Sequence, residues 1–142
     1  MKKIAVLGLI LGLILGASQA LAADKKPVKI GVMAPVTGQW ASEGQDMVNI
    51  VKLLADDLNK AGGAGGRMIE IEVGDDGGDP KTATLAAQRL IGAGAVAAIG
   101  TYGSAITEAT QDIYDEEGVL QIGTGSTSVR LTEKKLPLFF RT

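Results

Sequence analysis

Five short apolar runs, each separated from the next by a stretch of helical period or by glycine, limit what this chain can fold into. The runs are Val28–Met33, Met68–Val73, Val96–Ile99, Val119–Ile122 and Leu138–Arg141. Val28, Ile30 and Val32 alternate with Lys29 and Gly31, and Ile69, Ile71 and Val73 alternate with Glu70 and Glu72. This is the period of a strand with two unlike faces. Strands that alternate with helices predict right-handed β-α-β units and an open parallel sheet covered by helices on both faces.

The helices are read from spacing and from their ends. Met47, Ile50, Val51, Leu54 and Leu58 recur at helical spacing and are assigned to an inward face. Ser42-Glu43-Gly44-Gln45 has the spacing of a capping box, and Gly62-Gly63 closes the helix. In the second helix Asp79 is the expected N-cap and Pro80 the first helical residue, with Ala83, Ala86, Ala87, Leu90 and Ile91 inward. The third spans about Ser104 to Glu117, carries Tyr114 as a packing residue and ends at Gly118. Val129 to Lys135 is a short helical turn, closed by Pro137.

The N-terminus is read separately. Lys2-Lys3, the apolar run Ile4–Gly16 and the small-residue end Ala20-Leu21-Ala22 form a secretory signal peptide over residues 1–22, with cleavage expected after Ala22. The apolar run is shorter than the roughly 20 residues of a bilayer span. Cleavage leaves 120 residues with 12 basic and 16 acidic side chains, a net charge of −4. No basic cluster offers a nucleic-acid face. The sequence has no cysteine, so neither a disulfide nor a lipid anchor is expected. It has no histidine, which removes the Ser-His-Asp triad, the Cys-His pair and the usual zinc sites.

Chemistry concentrates where two strands end. Val96–Ile99 opens into Gly100-Thr101-Tyr102-Gly103-Ser104, and Val119–Ile122 opens into Gly123-Thr124-Gly125-Ser126-Thr127-Ser128. In an open parallel sheet both loops emerge at the carboxyl edge, where such sheets bind ligands. Glycines such as Gly103 and Gly125 admit a ligand close to the backbone, hydroxyls supply donors and acceptors, and free amides at a helix start favour an anion. The set suits a small zwitterion such as an amino acid. Trp40 and Tyr102 are the aromatics nearest this edge and candidates to cover an apolar side chain. Three other readings fail. Asp75, Asp76 and Asp79 lack the alternate spacing and distant Glu of a calcium loop, and capping accounts for them better. Gly123-x-Gly125-x-x-Ser128 lacks the third glycine of a dinucleotide fingerprint and follows the wrong strand. Ser104 and Ser126 have no base and no nucleophile elbow. A binder is expected rather than an enzyme, with no cofactor and no metal.

Taken in order, several motifs resemble one family. Val28-Lys29-Ile30-Gly31-Val32, Pro35-x-Thr37-Gly38, Asp57-Leu58-Asn59-x-x-Gly62-Gly63, Asp75-Asp76-x-x-Asp79-Pro80, Ile99-Gly100-x-x-x-Ser104, Ile113-Tyr114-x-x-x-Gly118 and Gly125-Ser126-Thr127 look like the branched-chain amino-acid binding proteins of ABC importers. The resemblance implies a periplasmic receptor of the two-lobed type I periplasmic binding protein fold, with a solute held between the lobes and a permease in the inner membrane as partner. Residues 23–142 would then be the first lobe, truncated before the chain crosses to the second. Carried over by position, Ser104 meets the ligand carboxylate with hydroxyl and amide, the carbonyl of Ser126 takes the ammonium, and Thr127 offers amide and hydroxyl. The family often carries an aromatic where this chain has Glu43, and Trp40 is the expected substitute. The bound solute is expected to be a branched-chain amino acid or a similar small zwitterion or amide. The same lobe could also serve a sensory domain without transport, or a secreted α/β enzyme whose catalytic residues lie elsewhere.

Overall fold

The computed structural model describes residues 25–142; the signal peptide expected at residues 1–22 lies outside them. The elements alternate as read: β1 (Val28–Ala34), α1 (Ala41–Lys60), β2 (Ile69–Asp75), α2 (Pro80–Gly92), β3 (Ala97–Ile99), α3 (Ser104–Glu116), β4 (Leu120–Gly123), α4 (Arg130–Glu133) and β5 (Phe139–Arg141). The five strands form one sheet in the order β2-β1-β3-β4-β5, and every pairing is parallel. Among the described residues no helix is long and apolar enough to cross a membrane.

One face of the sheet is packed as the helical spacing predicts. Ala83, Ala86, Ala87 and Leu90 of α2 are buried, and Tyr114 of α3 joins Met33, Ala98 and Val119 in the same cluster. Small alanines let the helix approach closely, which is why a chain with few aromatics can fill this layer. Asp79 caps α2 as expected, its carboxylate accepting from the Thr82 amide at 2.8 Å and hydroxyl at 2.9 Å. Asn59, near the end of α1, pairs with the Ile69 backbone at both its carbonyl and its amide, 2.9 and 2.7 Å, and so docks that helix on β2. The short α4 is held to α3 by a buried bond from Gln111 to the Leu131 carbonyl, 2.8 Å, and by two surface ion pairs, Arg130–Glu108 and Lys134–Asp112.

The other face departs from expectation. Helix α1 packs over β1 and β2 through Val48 and Ala55, with Met47 and Val51 half-buried. Ile50, Leu54 and Leu58, assigned inward by their spacing, are 59%, 56% and 53% exposed. They rim two apolar grooves floored by Ile30, Ile69, Ile71, Ile99 and Val32. Helical period identifies an apolar stripe, but only a second element can bury it, and none of the described elements lies against its far side. The sheet is therefore covered on one face and only partly on the other. Val73, on the same side of β2 as Ile69 and Ile71 by alternation, is also exposed.

The capping box is not formed either. Gly38, with φ +84°, turns the chain early, the Ala41 amide bonds the Gly38 carbonyl, and the Gly44 amide bonds the Trp40 carbonyl at 2.9 Å. Helix α1 thus begins at Ala41 with Trp40 as its N-cap, and Ser42 and Glu43 fall inside the first turn.

Candidate functional site

The strand order locates the crevice. The chain leaves β1 for β2 on one side and later adds β3 on the other, so the loops after β1 and β3 diverge. A parallel sheet binds its ligand outside the carboxyl ends at such a switch point. The loop after β1 carries Trp40, and the loop after β3 carries Tyr102. Their rings meet across the switch point with centroids 5.8 Å apart at 60°, a tilted aromatic contact. Trp40 also packs on Gly78, where a β-carbon would stand 2.9 Å from its ring, and lies near Gly103. It therefore ties together the loops after β1, β2 and β3, while Tyr102 remains partly exposed beside it.

The two hydroxyl loops converge in the same place. The Ser128 amide donates to Ser104 Oγ at 3.1 Å. That leaves the Ser104 hydroxyl proton free to be donated outward, at the first residue of α3. Gly103 is the N-cap of this helix, in extended conformation and with no side chain to cap the first amides. Those amides and the helix dipole favour an anion there. Gly125 lies against the backbone of Tyr102, and its amide bonds the Thr101 carbonyl at 3.3 Å.

Adjacent hydroxyl residues take opposite roles. Ser126 is buried: its Oγ makes a short hydrogen bond with Thr107 Oγ1 and donates to the Thr101 carbonyl at 3.3 Å. Thr107 in turn meets Thr101 Oγ1 at 2.7 Å. This buried chain of hydroxyls locks the two loops together from behind. Thr127, next along the same turn, is exposed. The Ser126 carbonyl, matched by resemblance to an ammonium acceptor, already accepts from Arg141 Nη1 at 3.2 Å. A ligand ammonium there would share the oxygen with a guanidinium.

The acidic residues of the β2–α2 loop are turn-builders. Asp75 accepts from the Thr37 hydroxyl at 2.6 Å and from the Thr37 and Gly77 amides. Burial alone would push its carboxyl up, but these donors together hold it below the usual carboxylate range. Asp76 is fully buried, with Oδ1 accepting the Gly78 amide at 2.8 Å and Oδ2 unpartnered. Burial, aided by the charge of Asp75, pushes its pKa up to about 6 against the Gly78 bond. Among the described residues no group of three or more His, Cys, Asp or Glu could hold a metal ion.

A family profile described as periplasmic binding protein matches residues 27–142. The chain belongs to the periplasmic binding protein family. It is 39% identical over 127 residues to the leucine-, isoleucine-, valine-, threonine- and alanine-binding protein of Pseudomonas aeruginosa, covering 89% of this chain and 33% of that one. It is 37% identical over 115 residues to Leu/Ile/Val-binding protein homolog 2 of Brucella abortus, covering 81% and 31%. Its fold matches the substrate binding protein LivJ of the Streptococcus pneumoniae branched-chain amino acid transporter, solved with isoleucine, at TM-score 0.77 and 27% identity, over 81% of this chain and 33% of the other. This periplasmic binding protein chain thus spans about a third of the length of the relatives it matches.

Of the residues singled out in the sequence, Ser104, Gly103, Gly125, Ser126, Thr127, Tyr102 and Trp40 all lie along the carboxyl edge of this family member, with Ser126 turned inward. Thr107 and Arg141 were missed. Thr107 reads as an ordinary helical residue, and Arg141 sits in a strand far along the chain; neither carries a local signal.

Proposed function

We propose that this chain forms one lobe of an extracytoplasmic receptor that delivers a small amino acid to an ABC importer, and that it acts as a binder and not as an enzyme. The observation that carries this reading is the Ser104–Ser128 hydrogen bond. It sets the uncapped start of α3, the free Ser104 proton and the exposed Thr127 side by side, next to the Trp40–Tyr102 pair. An anion-binding corner beside an aromatic wall suits a ligand with a carboxylate at one end and an apolar side chain at the other. The relatives' names and the isoleucine held by the LivJ neighbour point to the same chemistry. In this reading residues 23–142 follow a cleaved signal peptide, and a second lobe closes over the solute by a hinge before the permease recognises it.

One open lobe supplies only part of the contacts, so the chain by itself should bind L-leucine weakly, with Kd on the order of millimolar. Titration followed by amide NMR shifts should move Ser104, Ala105 and Thr127 first. Ser104→Ala and Thr127→Val should each weaken binding roughly 5- to 20-fold, the loss of a hydrogen bond worth about 1–2 kcal/mol. Shifts confined to another surface, or no shifts at all, would defeat the assignment. Micromolar affinity from this chain alone would defeat the half-site reading.

A further inference from the structure

Arg141 stands out once the receptor site is in place. It lies in β5, in register with Gly123 of β4, and its stem packs where a side chain on Gly123 would be. A single nitrogen, Nη1, donates to the Ser126 carbonyl at 3.2 Å and to the Ser128 carbonyl at 2.7 Å. Among the described residues no carboxylate lies within ion-pair distance of the guanidinium. Its charge is therefore directed at backbone oxygens, and charge-assisted bonds of this kind are among the strongest a loop can receive.

The geometry has a consequence for the residue in between. Drawing the carbonyls of residues 126 and 128 to one point turns both of them towards β5. Thr127 then occupies the outer side of the turn and is exposed, while the Ser128 amide is left to meet Ser104. The Gly125 amide is pinned to Thr101 on the near side. Thr107, Leu131 and Thr142 also bond the second loop from outside, but Arg141 alone brings a charge to it and gathers two of its carbonyls.

We propose that Arg141 is a positioning residue: by gathering the Ser126 and Ser128 carbonyls it presents Thr127 to the solute. The proposal rests on the receptor reading for what Thr127 meets, but the loop geometry can be tested without a solute. Arg141→Met keeps the apolar stem and removes the donors. In this variant, residue-resolved hydrogen exchange at the Gly125 and Ser128 amides should speed up by roughly tenfold or more, the factor expected when a hydrogen bond that holds a loop closed is lost. The Gln121 amide, which bonds Leu138 within the sheet at 2.8 Å, should exchange as before. Loop amides that exchange as in the parent chain, or a Gln121 amide that speeds up equally, would overturn the proposal. If Arg141→Met does not fold, the same comparison is read on Arg141→Lys, whose stem is one bond too short to reach both carbonyls.

A second arm uses L-leucine. Positioning through Thr127 means that Thr127→Val costs little further affinity once Arg141→Met is present, whereas Ser104→Ala keeps most of its cost. Additive losses for the Arg141–Thr127 pair would overturn the proposal. If the parent chain binds no leucine, the receptor reading fails and the exchange arm still decides the role of Arg141.

Discussion

Gly125→Val is expected to abolish the response of Ser104 and Thr127 to leucine and to lower stability by about 1–3 kcal/mol, the usual range for forcing extra atoms into packed structure. A β-carbon at Gly125 would overlap the Tyr102 carbonyl oxygen and stand 2.9 Å from the Tyr102 ring. A backbone oxygen cannot rotate out of the way as a side chain can, so the loops after β3 and β4 must separate. Separation breaks the Gly125–Thr101 bond and stretches the Ser104–Ser128 contact that joins the two halves of the proposed anion corner. It also displaces Tyr102 from Trp40. NMR titration together with urea denaturation would measure both effects. A variant that kept the leucine shifts while losing stability would show that the close approach of the loops serves packing and not the site.

Much of this arrangement is legible in the sequence. Alternating strands and glycine-closed helices specify a parallel α/β sheet, since Gly62-Gly63, Gly94 and Gly118 stop each helix where the next strand has to begin. Two successive strand ends rich in Gly, Ser and Thr point to the carboxyl edge, where the structure brings their loops together. What was not legible depends on the third dimension. Ser126 and Thr127 are adjacent and chemically alike, yet one is buried against Thr107 and the other faces outward. Only the path of the loop decides between them. The stripe on α1 was correctly apolar, but burial of Leu54 and Leu58 requires a further element over the sheet. The capping box at Ser42 failed because the Gly38 turn starts the helix at Ala41, and a spacing rule does not register a turn upstream of it.

Asp76 carries the other large expected effect. Its folded pKa, about 6, lies above the ordinary value of 3.8. Between those values the folded state binds the proton more tightly than the unfolded state. Stability from this group is therefore fully present below about pH 4 and is lost as pH rises through about 6. Two pKa units correspond to about 2–3 kcal/mol, so above pH 7 the ionised, half-satisfied carboxylate is a standing cost. Asp76→Asn retains an oxygen to accept the Gly78 amide, and with it the turn that supports Trp40, while removing the charge. The variant should be more stable than the parent by about 1–2 kcal/mol at pH 7.5, and its stability should stay nearly flat from pH 4 to 7 while that of the parent declines. Asp75 and Asp79 act in the opposite sense, since their folded pKa values are lowered, so both proteins should lose stability together below about pH 4. Urea denaturation across this pH range gives the two curves. If they run parallel between pH 4 and 7, Asp76 is not the group whose buried charge sets the slope.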